Sequence, residues 1–137
     1  MKLTLQTDHA LRILMALAEA DGAVLSVEEL AERFRVSRHH LMKTAQALAA
    51  GGFVTTLRGR NGGLRLARDA SAITIAEVVS HVEPDMNIAE CFQKPGCTFL
   101  PQCRLRGLLA RARDAFLETL EGRTLADMAT RPALPLA

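Results

Sequence analysis

Three cysteines are the residues of this chain best suited to chemistry. They stand at equal spacing in "CFQKPGCTFLPQC", as Cys91, Cys97 and Cys103, and the chain has no others. An odd number of thiols cannot all pair internally. The segment also carries Pro95, Gly96 and Pro101, so it reads as a loop. Zinc sites favour paired cysteines two to four residues apart and four protein ligands. Here the gaps are five residues, and no histidine lies between Cys91 and Cys103. A thioredoxin-like redox pair would show C-x-x-C, which is absent. An iron–sulfur cluster suits thiolates on a Gly/Pro loop, and a cubane cluster then needs a fourth ligand from elsewhere. Three unrelated buried thiols are the remaining alternative, and regular spacing in a turn-rich segment argues against it. Asp8, His9, His81 and Glu90 are the oxygen and nitrogen donors that could complete the set.

The elements that position these residues follow from periodicity and caps. Leu11, Leu14, Met15, Leu17 and Ala18 recur at helical spacing over residues 8–20, and Asp21-Gly22 ends that helix. Asp8 stands at its start, where a carboxylate is favoured by the helix dipole. "SVEEL" is a capping box in which Ser26 caps and Glu29 reaches back, opening a helix to about Phe34. "RVS" makes a tight turn, Ser37 caps the next helix, and Gly51-Gly52 stops it. This is the helix-turn-helix pattern. Phe53–Leu57 and Leu64–Ala67 read as strands joined by "RGRNGG", a hairpin signal, so a wing follows. "TIAE" opens another capped helix that Pro84 limits. The longest helical pattern runs from Arg104 to Glu121, with Leu105, Leu108, Leu109, Ala112, Phe116 and Leu120 on one face. "TLADM" reads as a short last helix and "RPALPLA" as a frayed tail.

The fold expected is mainly α with a small β-hairpin wing: a winged helix-turn-helix plus a long C-terminal dimerisation helix. Residues 1–70 would form the DNA-binding domain, 71–103 a connecting helix and cysteine loop, and 104–137 the dimerisation helix and tail. A winged unit is compact by about residue 70, so the stripe on the long helix is expected to pair with a second copy, as a closed dimer.

Charge indicates the partner. The chain of 137 residues has a net charge of only +2. From Arg33 to Arg68, however, there are eight Lys or Arg and no Asp or Glu. A solvated helix face mixes signs; a one-sign surface attracts a polyanion. Ser37, Arg38, His39, His40 and Lys43 open the recognition helix, whose N-terminal residues reach bases or phosphates. Among glycines, Arg60 is expected in the minor groove and Arg58 on the backbone. No stretch of about 18 apolar residues suggests a membrane span. The N-terminus reads as a mature helix and the location as cytoplasmic. No nucleophile–base set, phosphate loop or H-E-x-x-H is present, so an enzyme is not expected.

"TDHALRILMALA", a winged helix-turn-helix with "SRHHLMKTAQALAAGGFVTTLRGRNGGLRLA", and three cysteines before a long helix resemble the iron–sulfur winged-helix repressors. The resemblance covers residues 1 to about 130 and is greatest to the nitric-oxide-sensing members of the family. It implies a homodimer that holds a [4Fe-4S] cluster by Cys91, Cys97, Cys103 and Asp8 of the other subunit. A cousin type in the family sets its cysteines closer and uses histidine with a [2Fe-2S] cluster; this chain departs from that spacing, and [2Fe-2S] is the alternative cofactor. The implied function is repression at double-stranded operator DNA, with nitric oxide as effector. Arg12, one turn after Asp8, would pair with Asp8 or Glu83 and help couple cluster to DNA. The alternatives are the same fold sensing iron or redox state, and a small iron–sulfur redox protein. The acid-free segment argues against the last.

Overall fold

The computed structural model describes residues 1–129; the tail "RPALPLA" lies outside them. Helix α1 (Leu5–Glu19) begins a turn before its apolar stripe, because Thr4 caps it and accepts from the Thr7 N–H. The Thr4 N–H and hydroxyl and the Thr7 hydroxyl all donate to the Glu83 carboxylate. Glu83 is 79 residues away from Thr4, so this anchor, unlike the Thr4 cap itself, leaves no local pattern in the sequence. Ala10, Ile13, Leu14 and Leu17 are sealed inside, making α1 the central element.

Helix α2 (Val27–Phe34) opens with the expected capping box, Ser26 and Glu29 satisfying each other's N–H. Arg35 takes the left-handed conformation and turns the chain into α3 (Arg38–Ala50). Ser37 occupies the N-cap of α3, but its hydroxyl makes no capping hydrogen bond, contrary to the expectation. Gly51 and Gly52 end α3 for different reasons. Gly52 has φ +77 and makes the reversal. Gly51 is ordinary in conformation, but a Cβ there would stand 2.6 Å from His81 Nε2.

Strands β1 (Val54–Leu57) and β2 (Gly63–Leu66) pair antiparallel, Val54 opposite Leu66 and Leu57 opposite Gly63. Leu64 also exchanges backbone hydrogen bonds with Leu25, at 2.8 and 2.9 Å, tying the wing to the chain before α2. A side chain at Gly63 would strike the Leu25 carbonyl there.

Helix α4 (Ile75–Val82) carries the second expected capping box, Thr74 with Glu77. After the cysteine segment come α5 (Arg104–Glu121) and α6 (Leu125–Met128). A third box, Thr124 with Asp127, opens α6. The core runs on past residue 70: Ile73, Val78, Val82 and Leu125 pack in one cluster with α1, α2, α3 and the hairpin. Helix α5, by contrast, contains no buried residue.

Candidate functional site

The first part of the site is the basic face. Helix α3 buries Leu41, Thr44, Ala45 and Leu48, which turns Arg38, His39, His40 and Lys43 outward. Thr44 donates its hydroxyl to the His40 carbonyl, so this polar residue is satisfied inside the core. His39 and His40 meet edge to face, with ring centroids 6.0 Å apart. Arg38 Nε pairs with Glu28 Oε1 at 2.6 Å, and both side chains are more than half exposed. The Arg38 guanidinium accordingly holds the Glu28 carboxyl below its ordinary range. Sequence reasoning missed this acid because it lies outside the acid-free run, one helix back. Arg58 and Arg60 stand exposed on the turn between β1 and β2.

The second part is the cysteine segment. Cys91 lies on a 3-10 turn (Glu90–Phe92), Cys97 is exposed, and Cys103 occupies the N-cap of α5. Cys103 Sγ accepts from the Arg106 N–H at 3.4 Å. Arg106 Nε donates to the Cys91 carbonyl at 3.4 Å. The Phe92 ring is faced by the Arg106 and Arg113 guanidiniums, 5.1 and 5.4 Å from its centroid. These contacts tether the loop to α5. Cys91 and Cys97 line one open cleft with Glu90, Lys94 and Pro95.

The third part is α1. Arg12 Nε pairs with Asp8 Oδ2 at 3.0 Å, with the Asp8 side chain 44% exposed. Of the two partners expected for Arg12, Asp8 is therefore the one it takes, and Glu83 is occupied by Thr4 and Thr7. Thr4 and Thr7 carried no functional signal in the sequence. The other donors considered for the thiols are otherwise placed. His9 is buried, His81 Nε2 lies 2.8 Å from the Ala47 carbonyl, and Glu90 pairs with Lys94.

Among the described residues of a single chain, no three of His, Cys, Asp or Glu come together around one metal position. The donor chemistry nonetheless fits an iron–sulfur group: the three thiols are free, none is sealed in the core, and all sit on one tethered loop. Beside Phe99 of that loop, 73% exposed, the first turns of the α5 stripe are open, Leu105 being 61% and Leu108 54% exposed, while Leu109, Phe116 and Leu120 are half-buried. The Asp8 carboxylate on α1 is partly exposed and faces Arg12.

A winged helix-turn-helix with a basic recognition face defines a DNA-binding regulator. The chain belongs to the Rrf2 family, described as iron-dependent transcriptional regulators, which matches residues 3–131. It is similar to the HTH-type transcriptional regulator NsrR of Bacillus subtilis, at 44% identity over 93% of this chain and 90% of that one. The NsrR of Bacillus licheniformis is 40% identical over 93% of this chain and 92% of its own. Of solved structures, CymR, the global cysteine regulator of B. subtilis, superposes with a TM-score of 0.77. The two share 28% identity, over 94% of this chain and 96% of that one. T. potens IscR shares the fold, with a TM-score of 0.78 at 22% identity, covering 100% and 94% of the two chains. The chain is thus a transcription regulator and not an enzyme. Among the described residues, no helix is long and apolar enough to cross a membrane.

Proposed function

We propose that this regulator is a homodimeric repressor whose hold on double-stranded operator DNA depends on an iron–sulfur cluster and is released by nitric oxide. The observation that carries the reading is the pairing of three free thiols with an uncovered apolar stripe, on one tethered loop and helix. Each lacks a partner that a second chain would supply. Cys91, Cys97 and Cys103 would hold a [4Fe-4S] cluster, with Asp8 of the other subunit as its fourth ligand. When bound, the cluster supplies iron to which nitric oxide can bind.

The residues of the chain do the rest. A carboxylate is a hard ligand among soft ones and is the weakest of the four. The exposed Asp8–Arg12 pair is worth little, so redirecting Asp8 to another chain costs little. Asp8 rides on α1, whose first turn is pinned to the end of α4 through Glu83. Releasing Asp8 frees α1 to shift, and α3 packs against α1. Two recognition helices that leave their shared spacing no longer match half-sites about one turn apart. Arg38 and Lys43 contact phosphate or guanine, with Ser37, His39 and His40 beside them; Arg60 enters the minor groove and Arg58 the backbone.

A second reading has the same ligands reporting iron supply, and the description of the family as iron-dependent favours it. One experiment addresses both. Wild type and Asp8→Ala are purified without oxygen, assayed for iron and native mass, and titrated with nitric oxide or an iron chelator against operator binding. A dimer with about four irons per chain that loses DNA on nitric oxide supports the first reading. Loss only on chelation supports the second. A zinc-loaded protein, or DNA binding indifferent to the cluster, would overturn both. An Asp8→Ala protein of unchanged cluster stability and response removes Asp8 from the ligand set.

A further inference from the structure

Between the first turn of α1 and the recognition helix lies a cleft of about 200 Å³, lined by Leu5, Gln6, His9, His40, Lys43 and Thr44. None of the six is acidic. Helical spacing explains how they meet: residues 5, 6 and 9 share one face of α1, and 40, 43 and 44 share one face of α3. We propose that this cleft seats a backbone phosphate of the bound DNA, with Gln6, His9 and Lys43 as the holding groups.

His9 is the observation that points to a ligand. Its residue exposure is 8% and it lines the cleft, and among the described residues its ring makes no hydrogen bond. A polar ring that deep ordinarily has a partner. No side-chain nitrogen is sealed from solvent without a partner, so the His9 ring nitrogens, which make no hydrogen bond, keep some access to solvent or a ligand. Neutral imidazole carries one N–H donor whichever tautomer it adopts, so donation to a phosphate needs no change of charge. Lys43 adds a cation that makes no ion pair among the described residues, and Gln6 an exposed amide donor. The helix terminus contributes less. Thr4 satisfies the N–H groups of Thr7 and Asp8, leaving those of Leu5 and Gln6, and Glu83 already offsets the positive end on the Thr4 side.

The volume is several times the roughly 30 Å³ of a liquid water, ample for one phosphate group. A mobile phosphate ion shares that chemistry. Because the cleft opens beside the outward residues of α3, the duplex backbone is the source that the geometry favours. The consequence is direct. Gln6 and His9 flank Asp8 on one helix, so a movement of α1 would alter a DNA contact itself, with no relay through the core. This inference rests on the DNA-binding reading above and adds α1 to the DNA surface.

The test uses full-length, anaerobically purified protein with a duplex selected from a random library and a scrambled duplex of equal length. Binding is followed by fluorescence anisotropy across salt concentrations. Gln6→Glu, at an exposed position, puts a carboxylate at the mouth of the cleft. It is expected to weaken both duplexes by a similar factor of about 10, because phosphate contacts carry no sequence information. Lys43→Ala should lower the salt slope by about 1. His9→Ala is read only if its melting temperature is native. Arg60→Ala serves as the comparison. If it weakens binding while Gln6→Glu binds both duplexes as wild type does, the cleft is no phosphate seat for DNA and the DNA reading stands. If wild type binds neither duplex, the parent reading falls as well. Inorganic phosphate is titrated in parallel, following the His9 ring by NMR. Shifts at millimolar phosphate with unaltered DNA binding in Gln6→Glu would assign the cleft to a free anion and overturn the proposal.

Discussion

In α1 the side chains of Ile13 and Leu14 are sealed completely, whereas α5, a longer helix, has no buried residue at all. The same contrast holds between the regions that contain them. The winged unit closes on itself: α1, α2, α3, the hairpin, α4 and α6 share one apolar cluster. The cysteine segment and α5 keep Phe99, Leu105 and Leu108 in water and their thiols unpaired. The first region is finished by its own sequence. The second leaves its thiols and the first turns of its helix uncovered within a single chain, and such weakly packed segments open most readily.

The largest effect expected from breaking this contrast is on assembly. Leu108→Glu puts a charge in the middle of the open stripe. Dimers should give way to monomers in sedimentation, and operator affinity should fall by about 1,000-fold, toward the level of non-specific binding. Thermal unfolding of the dilute monomer should change little, since Leu108 is already 54% exposed. A monomer that no longer folds would show that α5 supports the core and would erase the contrast.

Leu14→Ala asks the converse question. Leu14 is 0% exposed at the centre of α1. Truncation should cost about 2–5 kcal/mol of unfolding free energy by removing packed methyl groups and leaving a cavity. Denaturant melts would check it. A loss under about 1 kcal/mol would mean that α1 is less central than its burial indicates.

How much was legible beforehand follows the same line. The self-sufficient region announced itself through local rules: two capping boxes, the glycine-rich hairpin and the 3.6-residue periodicity of α1 each predicted the element observed. What stayed hidden depended on distant partners. The Thr4 cap of α1 is anchored by Glu83, 79 residues on; separately, the capping expected of Ser37 is not made. Gly51 read as a helix stop, but its lack of a side chain makes room for His81, 30 positions on by sequence number. At the site, the residue types of the cysteine loop were plain, and its tethers were not. Arg106 reaches Cys91 across a loop whose shape no periodicity specifies. The carboxylate facing Arg38 was missed because charge was counted along the chain and not across the α2–α3 turn.

A smaller effect is expected at the loop itself. Cys97 is exposed and makes no contact with the core. Cys97→Ser should abolish iron retention, yet leave far-UV circular dichroism unchanged and the stability of the winged unit within about 0.5 kcal/mol. A Cys97→Ser protein that loses helix would show that the loop props up α5 or the core by itself.

The smallest effect separates the regions by pH. The helices of the winged unit that carry capping boxes are α2, α4 and α6, and all three box carboxyls are held low. For Glu77 the chief cause is the Thr74 N–H, with Arg68 adding its charge. Glu29 is held low by the Ser26 N–H and hydroxyl, and Asp127 by those of Thr124. A carboxyl depressed on folding adds stability that is fully present above its unfolded value, 4.5 for Glu77, and is lost as pH falls through the folded one. Helix α5 has no such carboxylate; its N-cap is Cys103, and the acceptor there is sulfur. Acid below about pH 4.5 should therefore loosen the winged unit first. Amide exchange in α2 and α4 should rise there, while that of the α5 end depends on oligomeric state. Glu77→Gln should remove about 0.5 kcal/mol of this at neutral pH, since both the helix-end charge and the Arg68 contact are half in water. Equal acid sensitivity in α5 and α4 would mean that the two regions unfold as one unit, and that α5 is not independent of the core.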